Sequence, residues 1–300
     1  MSLVVTGSIG IDSVEAPTGT AVDVLGGSSS YFAAAASFFG PVRMVGVVGD
    51  DFPKPFLETL AQFGIDLAGL ERRSGSKTFR WSGRYHKNMN QRDTTDVQLN
   101  VLTEAPPAIP DAYRDTQYVF LANTDPAIQM ALLDQFPDRA LAVADTMDLW
   151  INTQKAPLLD LLKQIDGLVL NDTEAVQLTG QTSLLAAAES ILQRGPKFVV
   201  IKKGEHGSIL LTVEGTVALP AYPTNQVVDP TGAGDSFAGA MMGQLAQRGE
   251  LSLDALRQAI AYGTTVASFN VESFSLDRVR QLDREQINGR FEEFRSMLDL

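Results

Sequence analysis

Short apolar and β-branched runs alternate along most of the chain with stretches of helical periodicity. Several of these runs are continuously apolar, which is typical of strands buried on both faces of a parallel sheet. The predicted core strands are residues 3–6, 43–48, 118–121, 141–144, 167–170, 198–202 and 208–213. The predicted helices are residues 30–39, 55–63, 127–136, 157–165, 184–194, 236–248 and 253–269. This alternation predicts an α/β fold with a doubly wound, mostly parallel sheet in an α/β/α sandwich.

Two segments depart from that rhythm. Residues 14–25 are strand-like and interrupted by Gly and Pro, whereas residues 78–101 contain two runs that alternate polar and apolar positions. Alternation with period two indicates strands with one face toward solvent or a partner. We therefore expect a single domain over residues 1–300, with a small inserted β lid at about residues 13–26 and 77–106. Residues 104–110 would form the return linker.

The composition narrows the function classes. The chain has 36 acidic and 24 basic residues, for a net charge of −12, which disfavours nucleic-acid polymers and anionic membranes as partners. It has no cysteine, which excludes disulfide scaffolds and thiolate sites and favours a reducing compartment. Its only histidines, His86 and His206, are too few for a multi-histidine metal centre. With no signal-peptide pattern and no apolar window of about 18 residues, a cytoplasmic enzyme or binding protein is expected.

The common nucleotide and acyl-transfer motifs are missing from the sequence. There is no Gly-Lys dipeptide for a Walker A loop and no G-x-G-x-x-G fingerprint. The segment nearest to an esterase elbow, residues 234–238, lacks the second glycine that the strained turn requires. Ser236 is therefore a poor candidate for a hydrolase nucleophile.

The most informative stretch is residues 228–240, V-D-P-T-G-A-G-D-S-F-A-G-A. Gly232, Ala233 and Gly234 leave their backbone amides unshielded and lead directly into a predicted helix. Such a turn binds anions, because unpaired N–H groups and the helix dipole converge there. Asp235 lies within the turn, where it either caps the helix or takes part in chemistry.

The segment D-P-T-G-A-G-D-S-F-A-G resembles the C-terminal signature of the ribokinase family, also called the PfkB family of carbohydrate and nucleoside kinases. The resemblance covers essentially the whole chain, including a two-part β lid. Further landmarks match in the same order: Asp12 in G-S-I-G-I-D, Gly26 and Gly27 before an Ala-rich helix, V-G-V-V-G-D-D at 45–51, N-D-T-E at 171–174 and K-K-G-E-H-G at 202–207.

The resemblance implies transfer of the γ-phosphoryl group of ATP to a hydroxymethyl group. The loose transition state of such a transfer needs hydrogen-bond donors and alignment more than covalent chemistry. The amides of Gly232, Ala233, Gly234 and Asp235 would form the anion hole, and Asp235 would be the catalytic base. Its position at a helix N-terminus leads us to expect a lowered pKa.

Other residues are implied to bind the nucleotide and its cations. The ATP-binding candidates are Asn171, Lys202, Gly204, Gly207, Thr231 and Gly232. Glu174 would contact Mg²⁺ through water, although N-x-x-E is also a helix capping box, and both roles are compatible. Asp229, with Thr231, matches positions that hold a monovalent cation such as K⁺ in some relatives. The segment around Lys202 also reads as an ordinary β-hairpin.

The acceptor side is implied to begin at Asp12, because a carboxylate can accept two hydroxyl groups side by side. A surface turn after the first strand is the alternative for Asp12. Gly26 and Gly27 would let the substrate approach the backbone. Many sugar-kinase relatives have Asn where this chain has Tyr31. The tyrosine could stack on a base or a sugar, or belong to the core.

The predicted lid is basic within an acidic protein. Residues 77–96 contain five basic residues and two acidic ones: Lys77, Arg80, Arg84, Lys87 and Arg92, and Asp93 and Asp96. Along a strand, Arg80, Ser82, Arg84 and His86 share one face. That face is either solvated or directed at an anionic acceptor or the ATP phosphates, which makes Arg84 a substrate-binding candidate. Trp81 and Tyr85 on the opposite face could pack against a second lid in a homodimer.

The sequence thus predicts an ATP- and Mg²⁺-dependent phosphotransferase that acts on a sugar. A nucleoside kinase of adenosine type is the alternative. A non-catalytic ligand-binding protein of the same fold is the rival from another class, and loss of Asp235 or of the glycine turn would have favoured it. The acceptor itself, and whether it already carries phosphate, stay open.

Overall fold

Thirteen strands and ten helices make up the part of the chain that the structure, a computed structural model, describes, residues 1–298. The strands are β1 (Leu3–Thr6), β2 (Gly10–Ala16), β3 (Gly19–Gly26), β4 (Val42–Gly49), β5 (Asp66–Arg73), β6 (Phe79–Tyr85), β7 (Arg92–Gln98), β8 (Tyr118–Leu121), β9 (Leu141–Asp145), β10 (Gly167–Asn171), β11 (Phe198–Lys202), β12 (Ser208–Thr212) and β13 (Thr216–Leu219). The helices are α1 (Ser28–Ser37), α2 (Lys54–Gln62), α3 (Pro126–Leu133), α4 (Asp148–Thr153), α5 (Lys155–Leu162), α6 (Asp172–Thr179), α7 (Leu184–Leu192), α8 (Ala233–Arg248), α9 (Leu253–Asn270) and α10 (Arg284–Leu298). Short 3₁₀ turns occupy Asn100–Thr103, Asp111–Tyr113, Gly204–His206 and Val279–Gln281.

The large sheet contains nine of these strands, in the order β13-β12-β11-β10-β9-β8-β1-β4-β5 within residues 1–298. Neighbouring strands from β5 to β11 run parallel, whereas β12 and β13 add antiparallel pairs at one edge. The central strands β1, β8 and β9 are buried along their whole length, as continuous apolar runs predict.

Helices cover both faces of the large sheet. On one face, α1, α2, α8 and α9 close a core in which the rings of Phe32 and Phe120 stack with centroids 4.2 Å apart. On the other face, α3 to α7 supply residues such as Leu132, Leu161 and Ile191. This arrangement confirms the predicted doubly wound α/β/α sandwich.

A second, four-stranded sheet has the order β3-β2-β6-β7. Strand β2 begins at Gly10, only a short loop after β1, and pairs in parallel with β6. The small sheet, as we call it, starts before residue 13, and its last strand ends at Gln98, short of residue 106. Residues 299 and 300 of the predicted domain lie outside the described part of the chain.

Several elements were not predicted, and they share weak or short patterns. Strand β5 reads D-L-A-G-L-E-R-R and lies at one edge of the sheet, so it lacks a continuous apolar run. Strand β13 is a four-residue strand at the other edge. Helices α4 and α6 are short, although N-D-T-E indicates a cap at the start of α6, and the charge-rich α10 buries only Ile287, Phe291 and Phe294.

The carboxyl ends of the parallel strands converge at one edge of the large sheet, where ligands bind in open α/β sheets. Helix α8 begins at Ala233, three residues before the predicted start, and its N-terminus lies at this edge beside Lys202 of β11. Within residues 1–298, no helix combines the length and apolar character needed to cross a bilayer.

Helix α8 can reach that position because it packs very closely on α1. An added Cβ at Gly239 would lie 2.1 Å from the Phe32 carbonyl oxygen, so the two backbones nearly touch. Gly243, one turn further along, faces Phe39 in the same way. Both contacts require glycine, and they fix the distance between the two helices.

We expect Gly239→Ala to lower the free energy of unfolding by about 1–3 kcal/mol or more, since the new methyl overpacks a backbone contact. Gly289→Ala is the matched control. It lies on the exposed side of α10 with nothing within 4 Å of its added Cβ, and should stabilise by about 0.5–1 kcal/mol. Urea denaturation of both variants checks this. Equal effects would contradict the close α1–α8 contact.

Candidate active site

The glycine turn before α8 has the conformation that its sequence suggests. Gly232 is left-handed, with φ +75°, and precedes the first helical residue, Ala233. An added Cβ at Gly232 would lie 2.2 Å from the ring of Tyr31. The amides of Gly234 and Asp235 have no acceptor inside the helix, as in any first helical turn. The Ala233 amide already donates to the Pro230 carbonyl, at 3.1 Å.

Polar side chains brace this turn from behind. Asp229 is buried and accepts the Thr231 amide at 2.9 Å, while its Oδ2 has no hydrogen-bond partner among residues 1–298. Asn270 of α9 donates to the Thr231 carbonyl at 2.8 Å and meets the Ser236 hydroxyl at 3.0 Å. The turn is therefore braced by Asp229 from its own loop and by Asn270 from α9.

Asp235 lies in the first turn of α8 with its side chain partly buried. Burial raises its pKa, while the nearby charges of Lys202 and Arg92 lower it. The expectation that the helix N-terminus would depress this pKa is therefore wrong. Loss of hydration outweighs the helix dipole, and Asp235 is a stronger base than the sequence suggested.

Asp12 is buried on β2 across from the glycine turn. Its Oδ1 has no hydrogen-bond partner among residues 1–298. The carboxyl group contacts the backbone of Gly26 so closely that a Cβ added to Gly26 would lie 2.0 Å from it. Gly27 follows with φ +87° and leaves room for Ser8 and Gly10. Burial raises the pKa of Asp12 to about 7, helped by the charges of Asp235 and Asp229.

Tyr31 belongs to the wall of this site. Its side chain is only 2% exposed, and its ring packs under Gly232. Its hydroxyl has no hydrogen-bond partner in the described chain. Burial raises its pKa well above the ordinary range, and the charges of Asp12, Asp229 and Asp235 add to the shift. The hydroxyl is therefore a neutral donor that lies among carboxyl groups.

The small sheet decides between the two orientations that the sequence left open for its faces. Because β2 and β6 pair in parallel with Asp12 beside Trp81, these residues and Tyr85 share one face. The Tyr85 hydroxyl lies 3.2 Å from the Thr231 hydroxyl, so this face covers the glycine turn.

Arg80 and Arg84 point to the other face of the small sheet. Arg84 pairs with Glu15 at 2.9 Å and its side chain is 59% exposed, while Arg80 pairs with Asp23 at 2.7 Å. The interpretation of Arg84 as a substrate-binding residue is thus corrected, because it projects away from Asp12. Because Tyr85 faces the glycine turn, it is not available for the predicted dimer contact.

Arg92 of β7 is the cation on the face that covers the site. It pairs in register with Tyr85 and lies over the Trp81 ring, 5.2 Å from its centroid. Its charge lowers the pKa of Asp12, Asp235 and Glu174. Alternation along the sequence does not assign Arg92 to this face, because a bulge opposite Gly83 shifts the phase of β7.

The nucleotide-side candidates follow β10 and β11. Asn171 and Glu174 form a complete capping box, with each side chain accepting the other's amide at 2.8 Å. Glu174 is buried, and burial raises its pKa. The Lys202 ammonium reaches the glycine turn, since an added Cβ at Gly234 would lie 2.7 Å from its Nζ.

Gly204 and Gly207 close the turn between β11 and β12, with φ of +54° and +84°. The predicted hairpin is present, and β11 and β12 pair antiparallel. The tip of the small sheet touches this turn, because the Asn90 amide donates to Glu205 at 2.6 Å. The small sheet therefore spans from the Asp12 side to the Gly204 side.

The sequence of this chain is similar to those of proteins whose family is known. The model for the pfkB family of carbohydrate kinases matches residues 11–279. This chain belongs to that family. A cytidine kinase from Thermococcus kodakarensis is 30% identical over 252 residues, which are 81% of this chain and 87% of that protein. The predicted kinase family is confirmed.

Solved structures show the same fold. A nucleoside kinase from Methanocaldococcus jannaschii has a TM-score of 0.79 at 20% identity, covering 97% of this chain and 98% of its own. An aminoimidazole riboside kinase from Salmonella enterica, bound to aminoimidazole riboside and an ATP analogue, has a TM-score of 0.77 at 19% identity, covering 97% and 100%. The ribokinase fold of this kinase is confirmed.

Three residues near the site of the kinase were missed by sequence reasoning. Asn270 and Arg92 come from segments far from the signature, and no local motif marks them. Asp145 ends a buried strand, and a charged residue at the carboxyl end of an apolar run was the signal that could have identified it.

Asp12 should make the kinase less stable as the pH rises. The pKa of Asp12 is 3.8 in the unfolded chain and about 7 in the folded protein, so the folded state binds the proton more tightly. The stability that this proton contributes is fully present below pH 3.8 and is lost as the pH rises through 7. Asn cannot lose a proton. The stability gained by Asp12→Asn over the native protein should therefore grow by about 2–3 kcal/mol between pH 5 and pH 8.

Urea denaturation at both pH values measures this difference. Asp134→Asn, at an exposed carboxyl group that ends α3, is the control and should show no such growth. A gain for Asp12→Asn that is equal at pH 5 and pH 8 would contradict the raised pKa.

Proposed function

We propose that this kinase transfers the γ-phosphoryl group of ATP to a hydroxymethyl group of a sugar. The observation that carries the proposal is the pair of carboxyl groups on the two sides of the glycine turn. Asp235 lies within the anion-binding turn, and Asp12 faces it with an unpartnered oxygen. A non-catalytic binding protein would not need a base there.

The reaction follows from this arrangement. The acceptor hydroxyl gives its proton to the Asp235 carboxylate while its oxygen bonds to the γ-phosphorus and the bond to the β-phosphate oxygen breaks. The amides of Gly234 and Asp235 stabilise the charge on the phosphoryl oxygens, because they are fixed before the reaction begins. The Lys202 ammonium, beside Gly234, supplies a positive charge to the same group.

The acceptor side selects for neighbouring hydroxyl groups. Asp12 Oδ1 and the Tyr31 hydroxyl are both buried without partners among residues 1–298, and an unmade hydrogen bond costs about 1–3 kcal/mol. An acceptor with adjacent hydroxyls, as in a furanose, would satisfy both. Gly26 and Gly27 let its ring lie close to the backbone.

A nucleoside is the second candidate acceptor. The Trp81 ring supports this candidate, because it lies on the face of the small sheet that covers Asp12. The guanidinium carbon of Arg92 lies 5.2 Å from the centroid of that ring. A base could stack on this surface. The T. kodakarensis relative is a cytidine kinase, which favours the same alternative.

Magnesium fits the residues at the nucleotide side. Residues 1–298 contain no group of three or more acidic or histidine side chains able to hold a metal directly. One buried carboxylate, Glu174, combined with substrate phosphates and water, is the usual Mg²⁺ environment. When bound, the ion would neutralise charge on the phosphates. The unpartnered Oδ2 of Asp229 likewise fits a monovalent cation such as K⁺.

We propose that residues 13–26 and 77–106, with the small sheet, act as the lid of the single domain. Three contacts support a closed position: Thr18 to the Val228 carbonyl at 2.6 Å, Tyr85 to Thr231 at 3.2 Å, and Asn90 to Glu205 at 2.6 Å. The exposed apolar side chain of Val22 on β3 favours a homodimer through this sheet. The lack of cysteine favours a cytoplasmic location.

Asp235→Asn tests the proposed base. Asn keeps the volume and can hold the turn, but it cannot accept the proton, so kcat should fall by at least about 10²-fold. The KM for ATP should hold or fall, because a negative charge is removed from beside the phosphates. Stability should not decrease, since loss of hydration already destabilises the native carboxylate.

Turnover is first measured on a panel of pentoses, hexoses, hexose phosphates and nucleosides, which identifies the acceptor. The variant is then assayed with that acceptor at saturating ATP. A variant that keeps more than about a tenth of the native kcat would reduce Asp235 to a helix cap.

Arg92→Ala should lower kcat/KM by about 10-fold or more, because a charge-assisted hydrogen bond to a phosphate or acceptor contributes about 1.5–3 kcal/mol. Arg84→Ala is the matched control on the other face of the same sheet. Exposed ion pairs contribute little, so its effect should stay below about 2-fold. The reverse ranking would return the substrate-binding role to Arg84.

A further inference from the structure

Asp145 is a buried acidic residue that the reaction described above does not use. It ends β9, in the middle of the large sheet, and its side chain is 5% exposed. Its Oδ1 has no hydrogen-bond partner among residues 1–298. Burial favours the neutral form of such a group, whereas a nearby positive charge favours its ionised form.

The sheet register places Asp145 and Lys202 on the same face. Asp145 is level with Val169 of β10, and Val169 is level with Val200 of β11. Side chains alternate along a strand, so Lys202 points the same way as Val200, and Asp145 the same way as Val143. Val143 and Val200 both belong to the core covered by α8.

Both side chains therefore project toward the N-terminus of α8. The two strands are two positions apart, or about 10 Å, and a lysine side chain can span most of that distance. The Lys202 Nζ reaches Gly234, as the 2.7 Å approach of an added Cβ indicates. The ammonium thus lies at the anion-binding turn, on the side of the sheet to which the buried carboxyl group also points.

The backbone of Asp145 is held firmly. The buried side chain of Gln129 donates to the carbonyl oxygens of Leu121, Ala122 and Asp145, at 2.9, 3.2 and 3.2 Å. This side-chain amide ties the carboxyl ends of β8 and β9 together. A carboxylate on such a rigid support can fix the position of a flexible lysine.

Electrostatics agree with this geometry. Burial raises the pKa of Asp145, Asp235 and Glu174 raise it further, and the Lys202 ammonium lowers it. Lys202 also lowers the pKa of Asp235 and Glu174. The charge of this one ammonium therefore lowers the pKa of three carboxyl groups.

We propose that Asp145 is a positioning residue that acts through Lys202. The ionised form of its buried carboxyl group attracts the ammonium and keeps it beside the first turn of α8, where the transferring phosphoryl group would lie. The proposal rests on the proposed function, because it assumes that phosphoryl transfer takes place at this turn. Asp145 does not touch the reacting atoms.

A double-mutant cycle tests the link between the two side chains. Asp145→Asn keeps the shape and removes the charge, and it should lower kcat by roughly 10- to 100-fold, as a small misplacement of a catalytic group does. The KM for the acceptor should not change. Lys202→Gln should lower kcat at least as much, and adding Asp145→Asn to it should lower kcat no further.

Asp148→Asn is the matched control, since it removes an exposed charge three residues along the chain. It should leave kcat within about 2-fold of the native value, as surface substitutions usually do. The melting temperature of Asp145→Asn should not fall below that of the native protein, because Asn keeps the shape of the buried side chain.

Three results would overturn the proposal. A full loss from Asp145→Asn in the Lys202→Gln background would mean that Asp145 acts directly, on a metal-bound water or on phosphate. An unchanged kcat would make it a bystander, and a lowered melting temperature would make its role structural. The native protein and Asp235→Asn are assayed alongside, so a failure of the proposed function would be recognised separately from a failure of this inference.

Discussion

Gly232 can adopt a φ of +75° against the ring of Tyr31 because it has no Cβ, and α8 starts directly after it. The position of this helix start determines where the unpaired amides and Asp235 lie. It depends in turn on Gly239, which lets the α8 backbone approach that of α1. A substituent at either glycine would push the helix away from the strand ends, and the candidate site would lose its anion-binding turn.

The second constraint is the concentration of acidic groups around this turn. The pKa of each of five carboxyl groups is raised, with burial as the largest cause: Asp12, Asp145, Glu174, Asp229 and Asp235. Such a cluster opposes folding at neutral pH, since each charge loses hydration. The positive charges at the turn are Lys202 from the sheet and Arg92 from the small sheet. A bound nucleotide and its cation would change the balance of negative and positive charge at this turn. The arrangement therefore suits a site that reaches its working charge distribution only when ligand is bound.

In the small sheet, a shift of one residue along a strand exchanges the side chains on its two faces and so changes which residues meet the site. Alternation correctly separated Arg80 and Arg84 from Trp81 and Tyr85, but it could not tell which face meets the core. The pairing of Asp12 with Trp81 decides this, because neighbouring side chains on parallel strands point the same way. Arg92, and not Arg80 or Arg84, is then the cation on the face that covers the site. The bulge opposite Gly83 decides on which face of β7 it lies.

Local pattern determined the parts of this protein that depend on adjacent residues. Continuous apolar runs predict the central strands, N-D-T-E predicts the capping box at Asn171, and G-A-G-D before a helical stretch predicts the anion-binding turn. The tertiary structure alone decided the rest. It brought Asn270 behind Thr231, placed Asp145 near Lys202, and raised the pKa of Asp235 that the helix terminus by itself would lower. The physical reason is that burial and through-space charge depend on residues distant in sequence, which no local pattern encodes.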